Sequence, residues 1–477
     1  MSTASDHAPL LERAFDIEHV EGSYVVDDIE GEVPAYLRGS YYLNGPARFR
    51  HGEQRYEHWL DGDGLVCRLH FGSDGVRFTN RFVRSTKYRD EQAAGRALYR
   101  AFGTRFEGDR LLHGVGLESP ANVSAYMFGG RLLAFGEQGL PWELDPVTLE
   151  TRQRYTFGDK LNTVTPFSAH AHFDPASGEM FNFGVSFSAR RPSLSLYRFG
   201  ADGAILYRAR LPIEHPASMH DFHLSPNYAV FYLSPHVLDM DALMTGGRTV
   251  MEALRWEPQR GTRLIIARRE DGQQAASIPI GCGYCLHLIN SFEQDGRLVV
   301  DVVELERPIY DQYDVPQLFT EVRTAEPKRY VVNVQAGVVE ETHAFDYRLL
   351  CDFPAIDPRR WGQEYRDFWL LGISATPKPG RKFLDQLVHC EWGAGPRVYQ
   401  VPAGRYLGGE PIFLPDPRHD RGGTVICQEL DVQNMKSAFL LFDAHDVARG
   451  PVARLTLKDP VRLGFHASFA AEEAPAA

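Results

Sequence analysis

Imidazole is the side chain here best suited to hold a metal, because a neutral ring offers a nitrogen lone pair to a borderline divalent ion. The chain has 18 histidines, and most have a plain explanation as surface residues or as core rings with both nitrogens hydrogen-bonded. Four segments stand apart because a histidine lies inside, or just ahead of, a strand-like run: SAHAHFDP, MHDFHLSP, YCLHLINSFE and LGFHASF. Two of these carry a choice, His170 or His172 and His220 or His223, which spacing alone leaves open. Four neutral ligands would leave a cation such as iron its full charge and two open positions at which to bind dioxygen.

Competing motifs lack a necessary atom. His170-Ala171-His172 with Asp174 resembles the start of a two-zinc hydrolase motif, but the closing histidine position is Pro175. Cys282-Gly283-Tyr284-Cys285 is a CxxC without a second pair, so it reads as structural cysteine at a strand start rather than a zinc site. Neither a GxSxG nucleophile turn nor a phosphate-binding glycine loop is present.

In a ring of blades, one imidazole from each of four blades can meet at a single point, however far apart they lie in the sequence. Short runs of Val, Ile, Phe and Tyr flank tight turn signals, among them Asp174–Gly178, Gly200–Gly203, Glu270–Gly272, Gln294–Gly296 and Gln335–Gly337, which is the pattern of β-hairpins. The meanders recur every roughly 40 to 50 residues, the period of propeller blades, and the innermost strand of each blade faces the axis. A large sandwich or barrel is the alternative. Helices are expected only around EQAAGRALYRAFG and between Val237 and Trp256.

Composition narrows the partners. With 43% hydrophobic and 24% charged residues, the chain can bury a core, and no Gly/Ser/Pro-rich linker divides it, so residues 1–477 read as one domain. A net charge of -12 repels a phosphate backbone and argues against a nucleic-acid partner. Six scattered cysteines read as reduced thiols. Without a signal-peptide pattern or a membrane-length apolar run, the expected location is cytoplasmic. The tail from about residue 470 to 477 is expected to fray.

Motifs in order along nearly the whole chain resemble the carotenoid cleavage oxygenase family, which includes apocarotenoid oxygenases, lignostilbene dioxygenases and the retinoid isomerase. They are GSYYLNGPARFR, HWLDGDGLVCRLHF, GLPWELDPVTLET, SAHAHFDPASGE, MHDFHLSPNYAVF, LHLINSFEQDG, EPIF and LGFH. The resemblance implies an all-β, seven-bladed β-propeller with a helix-and-loop dome over an axial metal site. It selects His170, His220, His287 and His466 as ligands of one Fe(II) per chain, rather than His172, His215 or His223. It further implies that carboxylates accept the Nδ1 protons of ligand rings, with Glu137 and Glu410 at two of the three places. The third is Asp352, where the family usually carries Glu, and this shorter side chain would reach His287 only through water or a shifted backbone.

The activity so implied is cleavage of one C=C bond by dioxygen into two carbonyl fragments, with no catalytic residue beyond the iron centre. Stilbene-cleaving members hold a phenol with a Tyr and with a Lys just ahead of the first carboxylate. This chain has Tyr88 but Gly136 at the lysine position, which favours a carotenoid or apocarotenoid over a stilbene. Apolar residues between 237 and 256 resemble the patch with which the family contacts membranes, ordinary packing being the other reading. A non-catalytic binding propeller is the rival class, and iron content separates the two.

Overall fold

Two-residue turns build the repeating unit. Gln294 pairs with Arg297 across Asp295 and Gly296, whose φ values of 50° and 74° give a turn that follows the twist of its strands. In the computed structural model, which describes residues 8–111, 118–186, 191–315, 318–374 and 382–472, such hairpins make five four-stranded and two five-stranded antiparallel sheets. These are the seven blades of a β-propeller.

The innermost strands are Ser124–Phe128, His172–Phe173, Phe222–Leu224, Tyr284–Gln294, Cys351–Ile356, Arg405–Pro415 and Ala467–Ala471. Each blade after the first therefore starts at the axis and runs outward. The ring closes through both ends of the chain: Ala467–Ala471 pairs with Gly39–Leu43, and Asp28–Gly31 forms the outer edge of the blade made by residues 405–456. Closure joins the first blade to the last through these pairings, and the outermost strand of each blade remains a sheet edge at the rim. The expected fraying is thus corrected at its start, because Ala470 and Ala471 are held in this ladder. Residues 473–477 of that tail lie outside the described residues.

The expected helices are displaced. A helix runs over Thr86–Ala94, capped by Ser85 and stopped at Gly95 (φ 65°), so only Glu91–Ala94 of EQAAGRALYRAFG is helical. Between Val237 and Trp256, the strands His236–Leu238 and Leu254–Trp256 pair and carry two short helices, Met240–Met244 and Val250–Ala253. Asp239 and Thr249 cap them, as expected for side chains that accept free helix amides.

A buried charge cluster anchors the helix Thr86–Ala94 to the first blade. Lys87 Nζ lies 2.9 Å from Asp63 and 3.0 Å from Glu91, and His51 Nε2 is 3.2 Å and 3.3 Å from the same carboxylates. Burial pushes the Asp63 carboxyl up, but Lys87 and His51 outweigh it and hold it down at about 2. A folded pKa below the unfolded value means that this stabilisation is complete above about pH 4 and fades as pH falls toward 2. Replacing Lys87 with Met would leave the two buried carboxylates with His51 alone between them, a loss of about 3–5 kcal/mol. Urea denaturation at neutral pH measures it, and a loss under about 1 kcal/mol would contradict this role.

Candidate metal centre

The ring brings the four predicted histidines to one point. His170 immediately precedes the strand pair at His172–Phe173, His220 precedes Phe222–Leu224, His287 lies inside Tyr284–Gln294, and His466 precedes Ala467–Ala471. Side chains lace these backbones together. Asn182 Nδ2 donates to Ser168 O and His170 O, both at 3.0 Å, and Ser168 Oγ donates to His220 O at 3.1 Å. The His466 amide donates to Val123 O at 3.1 Å.

All four rings are nearly buried. His170 Nε2 is 3.0 Å from His220 Nε2, and His287 Nε2 is 3.2 Å from His466 Nε2. Two nitrogens each ~2.1 Å from one ion and at right angles to each other would be separated by about 3.0 Å. Burial, reinforced by the neighbouring imidazoles, holds His170 well below the ordinary range. Burial likewise lowers His466, to about 4, against the pull of Glu410. Both shifts favour the neutral ring, the form that can offer a nitrogen lone pair to a metal. Burial also opposes protonation of His287, but Asp352 outweighs it and raises that ring.

Three carboxylates stand behind the rings. Asp352 Oδ1 is 2.6 Å from His287 Nδ1, Glu410 Oε2 is 3.3 Å from His466 Nδ1, and Glu137 Oε2 is 2.5 Å from His220 Nδ1, the last not aligned as a hydrogen bond. An Nδ1 proton given to a carboxylate turns the Nε2 lone pair inward. Asp352 makes its contact directly because its strand is irregular: the register slips between Asp352 and Ala355, and Phe353 takes φ 56°. The shifted backbone offsets the missing methylene.

The bypassed histidines are occupied elsewhere. His172 Nε2 lies 3.1 Å from Asp221 Oδ1, His223 Nδ1 contacts the Leu224 backbone, and His215 Nε2 meets Ser234 O at 3.3 Å. Sequence reasoning missed Asp221, which is buried 3.7 Å from His170 Nδ1 and also accepts from the Leu288 amide at 2.9 Å. Its position directly after His220 was the available signal. Phe353 was missed too, although its ring lies 5.4 Å from that of His287 and 5.3 Å from that of His466.

Two other groups of His and carboxylate ligand atoms come together among the described residues, and each already holds a protein cation. Lys87 sits between Asp63 and Glu91. Arg421 lies 2.8 Å from Asp367 in the Asp367–His389–His445 group. Around the four histidines, no ion pair to Lys or Arg occurs among the described residues. Inward lone pairs without a protein cation are the donor set that a divalent metal fits.

A cavity adjoins His220, His287 and His466. Its walls include Leu60, Phe102, Leu286, Tyr313, Phe353 and Phe465. A second cavity shares Phe102, Glu137 and Gln138 with it and is lined as well by Leu238, Met240, Met244, Val250 and Leu254. Lys87 lines the inner cavity, whereas Tyr88 does not and instead packs beneath the Arg84 guanidinium. A Cβ at Gly136 would lie 1.9 Å from Ser119 Oγ, which fills the place of a longer side chain. Neither half of a Tyr–Lys phenol clamp is therefore in place.

Residues 15–471 match the family described as retinal pigment epithelial membrane protein. Apocarotenoid-15,15'-oxygenase of Synechocystis is 29% identical, over 96% of this chain and 95% of that protein. Isoeugenol monooxygenase of Pseudomonas putida is 26% identical, over 98% of each. Resveratrol cleavage oxygenase 1 of Aspergillus fumigatus is 28% identical, over 94% of this chain and 93% of that protein. The solved structure of cobalt-substituted Synechocystis apocarotenoid oxygenase superimposes with a TM-score of 0.89 at 27% identity, covering 98% of this chain and 99% of that one. By motif order, seven-bladed architecture and end-to-end similarity, the chain belongs to the carotenoid cleavage oxygenase family.

Proposed function

We propose that this chain is a non-haem Fe(II) dioxygenase that splits one C=C bond of a carotenoid or apocarotenoid into two carbonyl products. The observation that carries this reading is the convergence of four Nε2 atoms at the wall of an apolar cavity. Iron bound there would supply the dioxygen chemistry. The chain's own task is positional: the imidazoles fix the metal, Glu137, Asp352 and Glu410 hold the Nδ1 side of three of them, and the cavity aligns a rigid polyene while excluding water. No further acid or base is needed.

Similarity to an apocarotenoid oxygenase along the whole chain supports this substrate class. A stilbene is the second reading, supported by the similarity to the resveratrol-cleaving and lignostilbene-cleaving proteins. The filled space at Gly136 and the displacement of Tyr88 weigh against it.

No helix among the described residues is long and apolar enough to cross a membrane. Leu238, Leu243, Val250 and Ala253 pack on one another and against Phe102, while Met244 is 36% exposed in the wall of the second cavity. Substrate would enter here, and any contact with a lipid surface would be made through Met244 and its neighbours.

Replacing His220, His287 or His466 with Ala should abolish aldehyde formation and lower bound iron, whereas His172→Ala and His223→Ala should keep the iron. Metal analysis and product chromatography decide it, and full activity with normal iron in any of the first three overturns the site. Asp352→Ala should cost about 10- to 100-fold in iron affinity or turnover. Because the Asp352 contact is already closed at 2.6 Å, Asp352→Glu should be impaired as well. Turnover at the wild-type rate in both variants would reduce Asp352 to a turn residue.

A further inference from the structure

Three of the four ligand rings have a carboxylate at Nδ1: Glu137 at His220, Asp352 at His287 and Glu410 at His466. His170 is the fourth, and the carboxylate that faces its Nδ1 is Asp221, with Oδ1 at 3.7 Å. Asp221 directly follows His220 in the chain and is 5% exposed. The same Oδ1 meets His172 Nε2 at 3.1 Å, and since a carboxylate only accepts, the ring donates there. Oδ2 accepts from the Leu288 amide at 2.9 Å, next to His287, where the register of Tyr284–Gln294 slips on both sides of Leu288. One side chain therefore reaches the segments that carry His170, His220 and His287.

A neutral ring can offer Nε2 to a metal only while its proton sits on Nδ1. At 3.7 Å from that nitrogen, Asp221 is too distant for a hydrogen bond. A buried negative charge at this range still attracts an Nδ1–H, because screening is weak away from bulk water. The length of the contact has a visible cause: His172 holds Oδ1 to its own side and the Leu288 amide fixes Oδ2. Neither Asp221 nor His170 is in the wall of the cavity assigned to substrate, and both line another together with His172 and His223. An effect of Asp221 on the reaction would thus pass through the ring, not through substrate contact.

We propose that Asp221 is a positioning residue for the metal, holding His170 in the Nδ1–H tautomer that turns Nε2 toward the ion and tying that ring to the segments of His220 and His287. This rests on the metal-centre reading and adds a fourth carboxylate to the three already described. The amide substitution shows why the charge matters. In Asp221→Asn the Leu288 amide claims the remaining oxygen, which turns the new NH2 toward His172 and His170. A donor at that place favours the opposite tautomer of His170, with the proton on Nε2 where the metal should be.

The test uses the full chain loaded with Co(II) or Fe(II). In water, the proton NMR spectrum of the Co(II) form should show hyperfine-shifted signals that vanish in D2O, one Nδ1–H for each of the four ligand rings. Asp221→Asn should displace or abolish one of them and weaken Fe(II) binding, measured by competition with a chelator, by about 10-fold or more. His172→Ala removes the competing donor on Oδ1, so it should shift the same signal while Fe(II) binds as in the wild type. Unmoved signals and wild-type Fe(II) affinity in Asp221→Asn, even with a lowered melting temperature, overturn the proposal and leave the metal centre standing. If Asp221→Asn does not fold, His172→Ala decides, and a spectrum in which no Nδ1–H signal moves overturns the role of Asp221. Should His172→Ala weaken Fe(II) as much as Asp221→Asn does, the carboxylate acts only through its bond to His172 and the assignment to His170 fails. Fewer than four such signals in the wild type, or no bound metal, contradicts the four-histidine centre and the role of Asp221 with it.

Discussion

Four imidazole nitrogens pressed to within 3.0 and 3.2 Å in pairs set the constraint on which the rest of the structure depends. Lone pairs so close and so buried repel one another unless a proton or a cation stands between them. The fold holds them there regardless, through Asn182, Ser168 and the backbone ties of His466. Burial disfavours the charged imidazolium at His170 and His466, so either an Nε2–H of a neutral ring or a divalent metal lies between the paired nitrogens.

Propeller architecture makes this arrangement attainable. Each blade sends its innermost strand to the axis, so ligands scattered from residue 170 to residue 466 become neighbours. The closing ladder between Gly39–Leu43 and Ala467–Ala471 is part of the same device, because it fixes His466 next to the first blade. Lys87 ties the helix Thr86–Ala94 to Asp63 and lines the cavity beside the histidines together with Leu286 and His287 of a blade strand. Core packing, charge burial and metal geometry are therefore one problem in this chain, and a change in any of them reaches the site.

Much of this was legible in the sequence. Turn residues and strand-like runs announced the hairpins, and ordered motifs singled out four of the 18 histidines together with Glu137, Asp352 and Glu410. What escaped was backbone irregularity and long-range pairing. The slipped register at Asp352 decides whether a short carboxylate reaches His287, and it leaves no mark that periodicity could detect. Ala470 looked like a tail because its partner Ser40 lies at the other end of the chain. In RSTKYRDE attention fell on Tyr88 as a phenol binder, yet the helix turns Lys87 inward and Tyr88 toward Arg84. Adjacent helical positions face different directions, and only the helix phase shows which one meets the cavity.

The central claim is a metal held by nitrogen alone, and X-ray absorption spectroscopy of the Fe(II)-loaded protein tests it most directly. The account predicts a shell of four imidazole nitrogens, with multiple scattering from the rings and no protein carboxylate or sulfur at bonding distance. Fewer than four imidazoles, or a carboxylate from Glu137, Asp352 or Glu410 bound to the iron itself, would contradict it.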